Sequence, residues 1–290
     1  MAENSIIYAM ISFNEIFNSA SLNIDNIVPL GWIGITNATE LNSIKENLEA
    51  DYIVMNDIDL SNGDYKEWEP IIDFSGTLDG NGKIIKGLSV TIGLDNVGFI
   101  GKTSGPPTIK NIRFTDVNIK GKNFVGSLIG ETVNEGTVID NVSVKRNITG
   151  TSYVGGLIGL SKKSSTIKNS YNNINITATS YYIGGIIGYL KYTTIKNVYS
   201  SGAVKGYLSH STVNLVMGYV SGLTKENLYW IMNSTGDITS RHASLIESID
   251  KASVKSSYEG FDFENIWDTI EGETTPYIKG IMIDEKNYLK

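Results

Sequence analysis

Apolar and polar residues alternate in short runs along most of the chain, with glycine, serine and asparagine between the runs. From residue 53 to residue 229 the runs are rich in isoleucine, valine and tyrosine, and they have no helical period. Such runs predict β-strands separated by turns. One segment differs, because Leu41 and Ile44 have helical spacing and Asn37 followed by Glu40 is typical of a helix N-terminus. We therefore expect an all-β chain with a short capping helix near its N-terminus.

Two sequence marks recur with one period. The first, an apolar–glycine segment, begins at Val97-Gly98, Val125-Gly126, Val154-Gly155 and Ile183-Gly184. Its glycines lie 28, 29 and 29 residues apart. The second mark follows about ten residues later and ends in Asn111, Asn141, Asn169, Asn197 and Asn227. Units this small cannot bury an apolar face alone, so we predict a parallel β-helix of about 29-residue coils, right-handed by default.

Each mark has a physical explanation. A glycine at a fixed place in every coil suits a positive φ angle or a close approach of two backbones. Asparagine tolerates the left-handed region, and its amide can bond to the next coil. We therefore predict that the asparagines form an internal ladder and that Gly155 and Gly184 occupy positions that disfavour a Cβ atom.

The glycine segments, with the runs 167–171 (Ile-Lys-Asn-Ser-Tyr) and 195–199 (Ile-Lys-Asn-Val-Tyr), resemble the GLUG repeat of bacterial surface and adhesin-like proteins. The resemblance covers residues 33–280 and implies a β-solenoid with a role at a cell surface. Some proteins with this repeat are IgA-cleaving metallopeptidases, but the HExxH zinc motif is missing from this sequence. We therefore expect a protein that is not an enzyme.

The repeats divide the chain into four parts. These are an N-terminal segment (1–32), an N-terminal cap with the first coils (33–96), the GLUG-type coils (97–230) and a C-terminal cap (231–290). The apolar residues of segment 1–32 suggest attachment to a larger assembly or oligomerisation, and a plain capping element is the alternative. The aromatic residues after position 258 are expected to cover the last coil.

Composition restricts the function classes. The chain has no cysteine, which excludes disulfides and thiol chemistry. No apolar span is long enough to cross a membrane, and no signal peptide is visible. The net charge is −7, yet residues 98–222 contain 13 basic and 4 acidic residues. An acidic pI argues against nucleic acid as a partner, whereas the basic body could face an anionic surface polymer.

Acidic residues near the start of the repeat are candidates for chemistry. Asp57, Asp59, Asp73 and Asp79 could serve a glycoside hydrolase or polysaccharide lyase on a β-helix. A calcium site near Asp57, Asp59 and Asp64 is a second alternative, although the stretch departs from the EF-hand pattern. We expect these carboxylates to bond to turns instead, and we expect no cofactor.

Two rows of aromatic residues follow the repeat period and are expected to be exposed and to bind ligand. They are Phe124, Tyr153 and Tyr182 in the first row, and Tyr171, Tyr199 and Tyr229 in the second. Exposed tyrosines bind sugars by stacking on a ring face and by hydrogen bonding through the hydroxyl. The alternative is that the rings stack between coils only to stabilise them.

Lysines follow the same period. They are Lys110, Lys168 and Lys196, with Lys163 and Lys191 in the preceding corner, and Asp140 interrupts the row. The row could bind an anionic glycan, or it could be a solvated face or balance the acidic caps.

These features predict a recognition module that binds a cell-surface glycan or another anionic surface polymer. It would act outside the cell, as a receptor-binding component of a phage or phage-like particle or as a bacterial adhesin. A carbohydrate-active enzyme and a structural spacer are the rival interpretations.

Overall fold

The structure is a computed structural model that describes residues 27–91, 93–206, 213–214, 216–231 and 242–280. Most of the N-terminal segment 1–32 lies outside the described residues, so the attachment predicted for it stays a prediction. The chain divides into two units at Leu30, and the description below concerns the second unit. None of the helices in the described ranges has the length and apolar character needed to span a membrane.

Strands form almost all of the regular structure within the described residues. The strands are β1 (Ile33–Ile35), β2 (Asp51–Val54), β3 (Ile58–Asp59), β4 (Ile71–Phe74), β5 (Thr77–Asp79), β6 (Ile84–Lys86), β7 (Ser89–Val90), β8 (Ile100–Thr103), β9 (Thr108–Lys120), β10 (Asn123–Val125), β11 (Ile129–Thr132), β12 (Thr137–Gly150), β13 (Ser152–Gly155), β14 (Ile158–Ser161), β15 (Ser165–Ala178), β16 (Ile183–Gly184), β17 (Ile187–Ser201), β18 (Val204–Lys205), β19 (Val213–Asn214), β20 (Met217–Ile231), β21 (Ser244–Ile246), β22 (Trp267–Asp268) and β23 (Tyr277–Ile278). The helices are α1 (Ala38–Asn42) and α2 (Ile249–Ala252), with 3-10 helices at Ser43–Glu46, Gly63–Tyr65 and Lys255–Ser257.

The strands wind into a parallel β-solenoid of about six turns with coils of about 29 residues. Every strand from β1 to β21 pairs in parallel with a strand of a neighbouring coil, whereas β22 and β23 pair with each other antiparallel. The predicted fold class is therefore confirmed.

Four faces of the coil matter for the site. Face A contains β10, β13, β16 and β19. Face B contains β8, β11, β14 and the first residues of β17 and β20, up to 191 and 221. Face C contains residues 108–110, 137–140, 165–168, 193–196 and 223–226. Face D contains residues 113–115, 142–145, 170–173, 198–201 and 228–231.

The first coil is closed by the predicted helix. The side chain of Asn37 accepts a hydrogen bond from the amide of Glu40 at 3.0 Å, and the Glu40 carboxylate accepts one from the amide of Thr36 at 2.6 Å. These bonds satisfy amides that have no partner within a helix. Leu41 and Ile44 are fully buried on the apolar side of this cap.

The repeated asparagines form the bend between faces C and D. Asn111, Asn141, Asn169, Asn197 and Asn227 all have φ angles between 48° and 61°. Their side chains form a ladder from coil to coil, for example from the Asn197 amide to the Asn169 oxygen at 3.1 Å. The ladder changes course at Asn169, which is half-buried and donates to Asp140 instead of Asn141.

Glycine recurs at this position of the coil because two backbones approach each other closely there, and not because the position has a positive φ angle. A Cβ atom on Gly155 would lie 2.0 Å from the Ile158 carbonyl oxygen, and one on Gly184 would lie 2.2 Å from the Ile187 oxygen. The turn from face A to face B is therefore so tight that the two strands contact each other through backbone atoms. Both glycines occupy positions that disfavour a side chain, as predicted.

The C-terminal segment forms a strap that begins on the last coil, where Phe261 packs on Tyr229, and continues along the side of the solenoid. Residues 244–280, the C-terminal strap, start at β21 beside β20 and then lie over face D. Gly280 reaches the first coils, where its oxygen lies 2.9 Å from the position of a Cβ on Gly82. The strap thus connects coils that are far apart along the axis.

The glycine turn gives a first prediction. Replacing Gly155 by alanine should lower the free energy of unfolding by about 3 kcal/mol or more, because the atoms that meet the new Cβ belong to the backbone and cannot rotate away. The same change at Gly272, where nothing lies within 4 Å, should cost about 1 kcal/mol for its φ of +81° alone. Denaturant titration of both variants measures the difference, and equal losses would contradict the role of the turn.

Candidate functional site

The first aromatic row lies at the corner that leads into face A. Phe124, Tyr153 and Tyr182 each precede an inward-facing residue, and strand pairing aligns them one coil apart. The ring centroids of Phe124 and Tyr153 are 4.9 Å apart, and those of Tyr153 and Tyr182 are also 4.9 Å apart. All three side chains are half-buried, so each ring packs on its neighbours and keeps part of its surface in solvent.

Three further tyrosines widen the row into a patch. Tyr181 is 41% exposed and lies 4.9 Å from Tyr182. Tyr189 and Tyr219 pair in register on face B, and their rings stack at 4.6 Å. Tyr182 joins the two groups, since its ring lies 5.3 Å from that of Tyr189. We call these residues the aromatic patch: Phe124, Tyr153, Tyr181, Tyr182, Tyr189 and Tyr219.

The corner aromatics adopt a strained backbone conformation. The φ angles of Phe124, Tyr153 and Tyr182 are 56°, 54° and 62°, in the left-handed region that bulky residues rarely enter. One coil earlier the same corner is occupied by Asn96, with a φ of 58°. Left-handed geometry costs a bulky residue about 1–3 kcal/mol, and asparagine tolerates it better. Each aromatic ring is therefore present despite a conformational cost.

Tyr153 lies at the centre of the corner row, between Phe124 and Tyr182. Burial raises the pKa of Tyr153, and the neighbouring tyrosines add to the rise. At neutral pH its hydroxyl therefore remains a hydrogen-bond donor and acceptor beside an apolar ring. A group of such side chains can stack on a sugar ring and bond to its hydroxyls.

The second tyrosine row is buried, which contradicts its predicted exposure. Tyr171 and Tyr199 are 3% and 0% exposed because the C-terminal strap covers face D. Their rings stack at 4.9 Å, and Trp267 of the strap lies 6.0 Å from each. The Tyr199 hydroxyl donates to the Pro276 carbonyl oxygen at 2.5 Å. These residues hold the strap, and a surface ligand cannot reach them.

The lysines of face C are paired, which contradicts a free cationic row. The pairs are Lys110 Nζ with Asp79 Oδ2 at 3.2 Å, Lys168 Nζ with Asp140 Oδ2 at 3.2 Å, and Lys196 Nζ with Glu226 Oε2 at 2.9 Å. Asp140 does not interrupt the row but neutralises the lysine of the next coil. The column therefore carries no net charge, and its acids come from adjacent coils and not from the strap.

Lys163 and Lys191 differ from the lysines of face C. Both side chains are exposed at the corner between faces B and C. Strand pairing aligns Ser161 with Leu190, so the two lysines stand in successive coils. No ion pair involves either lysine within the described ranges, whereas neighbouring Lys162 binds Glu131 at 2.5 Å. Of the predicted cationic positions, these two remain open to a ligand.

The acidic residues of the first coils accept hydrogen bonds from nearby backbone amides. Asp57 accepts a hydrogen bond from the amide of Ile84 at 2.8 Å. Asp59 accepts bonds from the hydroxyl and amide of Ser61, which lower its pKa. No group of three or more histidine or acidic side chains that could hold a metal ion occurs in the part of the chain that the structure describes. The calcium alternative therefore gains no support from this stretch.

Sequence reasoning identified the corner row but missed Tyr181, Tyr189 and Tyr219. Tyr189 and Tyr219 are 30 residues apart, so the repeat period was a usable signal for them. Tyr181 has no periodic partner in the row and is found only from the folded corner.

Comparison with known proteins agrees with this architecture. The sequence profile of the GLUG motif matches residues 179–205, which include the Tyr181–Tyr182 corner, one glycine turn and Asn197. Halomucin of Haloquadratum walsbyi (strain DSM 16790 / HBSQ001) is 37% identical over 76 residues. This match covers 26% of the present chain and spans only 1% of the length of Halomucin. The resemblance to GLUG-repeat proteins is confirmed.

A solved structure has the same fold. It is a chain from Bacteroides ovatus named as a candidate immunoglobulin A1 protease, and it superposes with a TM-score of 0.64. The match covers 85% of the present chain and 92% of that chain, with 19% identity. At this identity the likeness shows the fold alone.

The buried tyrosines predict a loss of stability in alkali. Burial raises the pKa of Tyr199 and Tyr258, whereas unfolded tyrosines ionise near pH 10. Their stabilising contribution is therefore complete below about pH 10 and declines as the pH rises toward the folded pKa values. Replacing Tyr199 by phenylalanine should reduce this decline by about 1.4 kcal/mol per pH unit, measured by denaturant titration at successive pH values.

The matched control is Tyr192→Phe, because Tyr192 is 65% exposed. This variant should lose stability in alkali as steeply as the unaltered protein. An identical slope for the Tyr199 variant would contradict the role of its buried phenol.

Proposed function

We propose that this β-solenoid with a GLUG motif is a non-enzymatic recognition module that binds a cell-surface glycan through the aromatic patch. It acts outside the cell that makes it, either as a bacterial surface adhesin or as a receptor-binding component of a phage or phage-like particle. The GLUG motif supports a surface role. In either setting the repeat serves as a rigid support for the patch.

The observation that carries this proposal is the left-handed conformation of three successive corner aromatics. A ring at Phe124, Tyr153 or Tyr182 adds strain that asparagine at the same corner would reduce. Strain that recurs at aligned positions is typical of functional sites. Stacking between the rings offsets some of this cost, at about 0.5–1.5 kcal/mol for each pair. Ligand binding explains why the rings are kept and why they remain half-exposed.

The patch suits a sugar polymer more than a compact ligand. Its rings follow the solenoid axis over successive coils, so several sugar units of one chain could each contact a ring. Rigid aromatic side chains lose little conformational entropy when a ligand binds. A β-sheet support also holds them in place without reorganisation.

Replacing corner tyrosines by asparagine separates a binding role from a structural one. Tyr153→Asn and Tyr182→Asn introduce the residue that already occupies this corner at Asn96. We expect the thermal midpoint to remain within about 4 °C of the unaltered value. Affinity for a polysaccharide found on an array of immobilised glycans should fall about tenfold for each change, as loss of one stacking contact predicts.

Leu245→Ala, at an exposed apolar side chain of the C-terminal strap, serves as the control and should leave affinity unchanged. A large fall in the thermal midpoint of the asparagine variants would favour the structural spacer. Unchanged affinity, or hydrolysis or cleavage of the polymer by the unaltered protein, would contradict the proposed function.

A further inference from the structure

We infer that the recognised glycan is acidic and that its carboxylate or phosphate groups contact Lys163 and Lys191 at the border of the aromatic patch. This inference rests on the proposed function and concerns the chemistry of its ligand. The argument begins with the position of the two lysines.

Lys191 belongs to the strand that carries part of the patch. It lies two residues after Tyr189 on β17, and the intervening Leu190 is buried in the core. Side chains two residues apart in a strand point to the same side and are separated by about 6.6 Å. A sugar unit stacked on Tyr189 would therefore place its acid group within reach of Lys191.

Lys163 lies in the corner between faces B and C of the preceding coil. Ser161 pairs with Leu190, which places Lys162 opposite Lys191 and Lys163 one residue further into the corner of the preceding coil. Neighbouring coils are separated by about 4.8 Å, so a polymer that contacts Lys191 could also reach the corner that carries Lys163.

Most other cations of the repeat body fall into two groups. Five of them bind an acid of the described ranges: Lys110, Arg146, Lys162, Lys168 and Lys196. Four lysines form no ion pair within these ranges: Lys102, Lys120, Lys122 and Lys205. Lys163 and Lys191 form no such pair in these ranges although acids neutralise their neighbours. Among the cations without an ion pair in these ranges, Lys191 shares strand β17 with Tyr189 of the patch.

Two acidic residues lie near the patch, and each already has a partner within the protein. Glu131 of face B is 5% exposed and is held by Lys162. Asp95 is exposed near Phe124 at the opposite end of the corner row, where it accepts hydrogen bonds from Asn123. Exposed Lys122 directly precedes Asn123, so charges of both signs occur near Phe124, whereas Lys191 lies at the end rich in tyrosine and forms no ion pair within the described ranges. An acidic polymer would place its charged groups toward that end.

The test uses an array in which each acidic polysaccharide stands beside its carboxyl-reduced neutral form, together with a poly(glycerol phosphate). The unaltered protein should bind a uronic acid polymer or the phosphate polymer, and carboxyl reduction should weaken binding of a uronic acid polymer about tenfold. The double variant Lys163→Gln, Lys191→Gln should show a similar loss on the unreduced polymer. This loss should shrink as salt rises, because exposed charges are screened within about 8 Å at physiological ionic strength.

The double variant Lys168→Gln, Lys196→Gln is the matched control. It removes the same amount of charge, but both lysines are paired on face C, so it should bind nearly as well as the unaltered protein. Equal losses in the two double variants would overturn the inference, since they would indicate a general effect of net charge.

The asparagine variants of the corner row separate this inference from the proposed function. If binding depends on Tyr153 and Tyr182 but not on carboxylate, phosphate or the two lysines, the glycan is neutral and the inference is wrong while the proposed function stands. If binding is independent of the tyrosines, the proposed function fails as well.

Discussion

The glycine turn of each coil brings two strands together with no side chain between them, and the exposed surface depends on this contact. A Cβ on Gly188 would lie 2.6 Å from the backbone of Tyr153 and Val154 in the preceding coil. Face A and face B therefore meet at backbone distance. This approach allows Tyr182 on the corner of face A to contact Tyr189 on face B. A wider turn would separate the two halves of the patch.

Two columns of aromatic rings share one period, but one column is buried and the other is half-exposed. The difference arises because the first column lies beneath the C-terminal strap and the second does not. On face D the tyrosine column packs against apolar residues of the strap, and the Tyr199 hydroxyl donates a hydrogen bond to the strap backbone. At the corner of face A the rings pack on one another and stay half-exposed. The repeat period determines that residues align, but the cover from a distant segment determines whether solvent reaches them.

Sequence reasoning could predict the features that repeat. The period, the asparagine bend and the need for glycine at Gly155 and Gly184 each follow from the spacing of particular residues and the physics of those residue types. The strap could not be predicted, because its contacts join residues such as Tyr199 and Pro276 that are 77 positions apart and follow no period. The same limit explains the wrong expectation for Lys168. Its partner Asp140 looked like an interruption, since pairing across coils appears only when the register is known.

The backbone conformation at the corner of face A is nearly the same for four different side chains. Asn96, Phe124, Tyr153 and Tyr182 differ in size and polarity, yet all four have nearly the same φ angle. The backbone there is set by the strand pairing on either side and by the glycine turn that follows, not by the side chain at the corner. Substitution at this position therefore changes the surface with limited effect on the coil. A solenoid of this kind can change the surface at its corners, while the glycines, the asparagine bends and the strap preserve the fold.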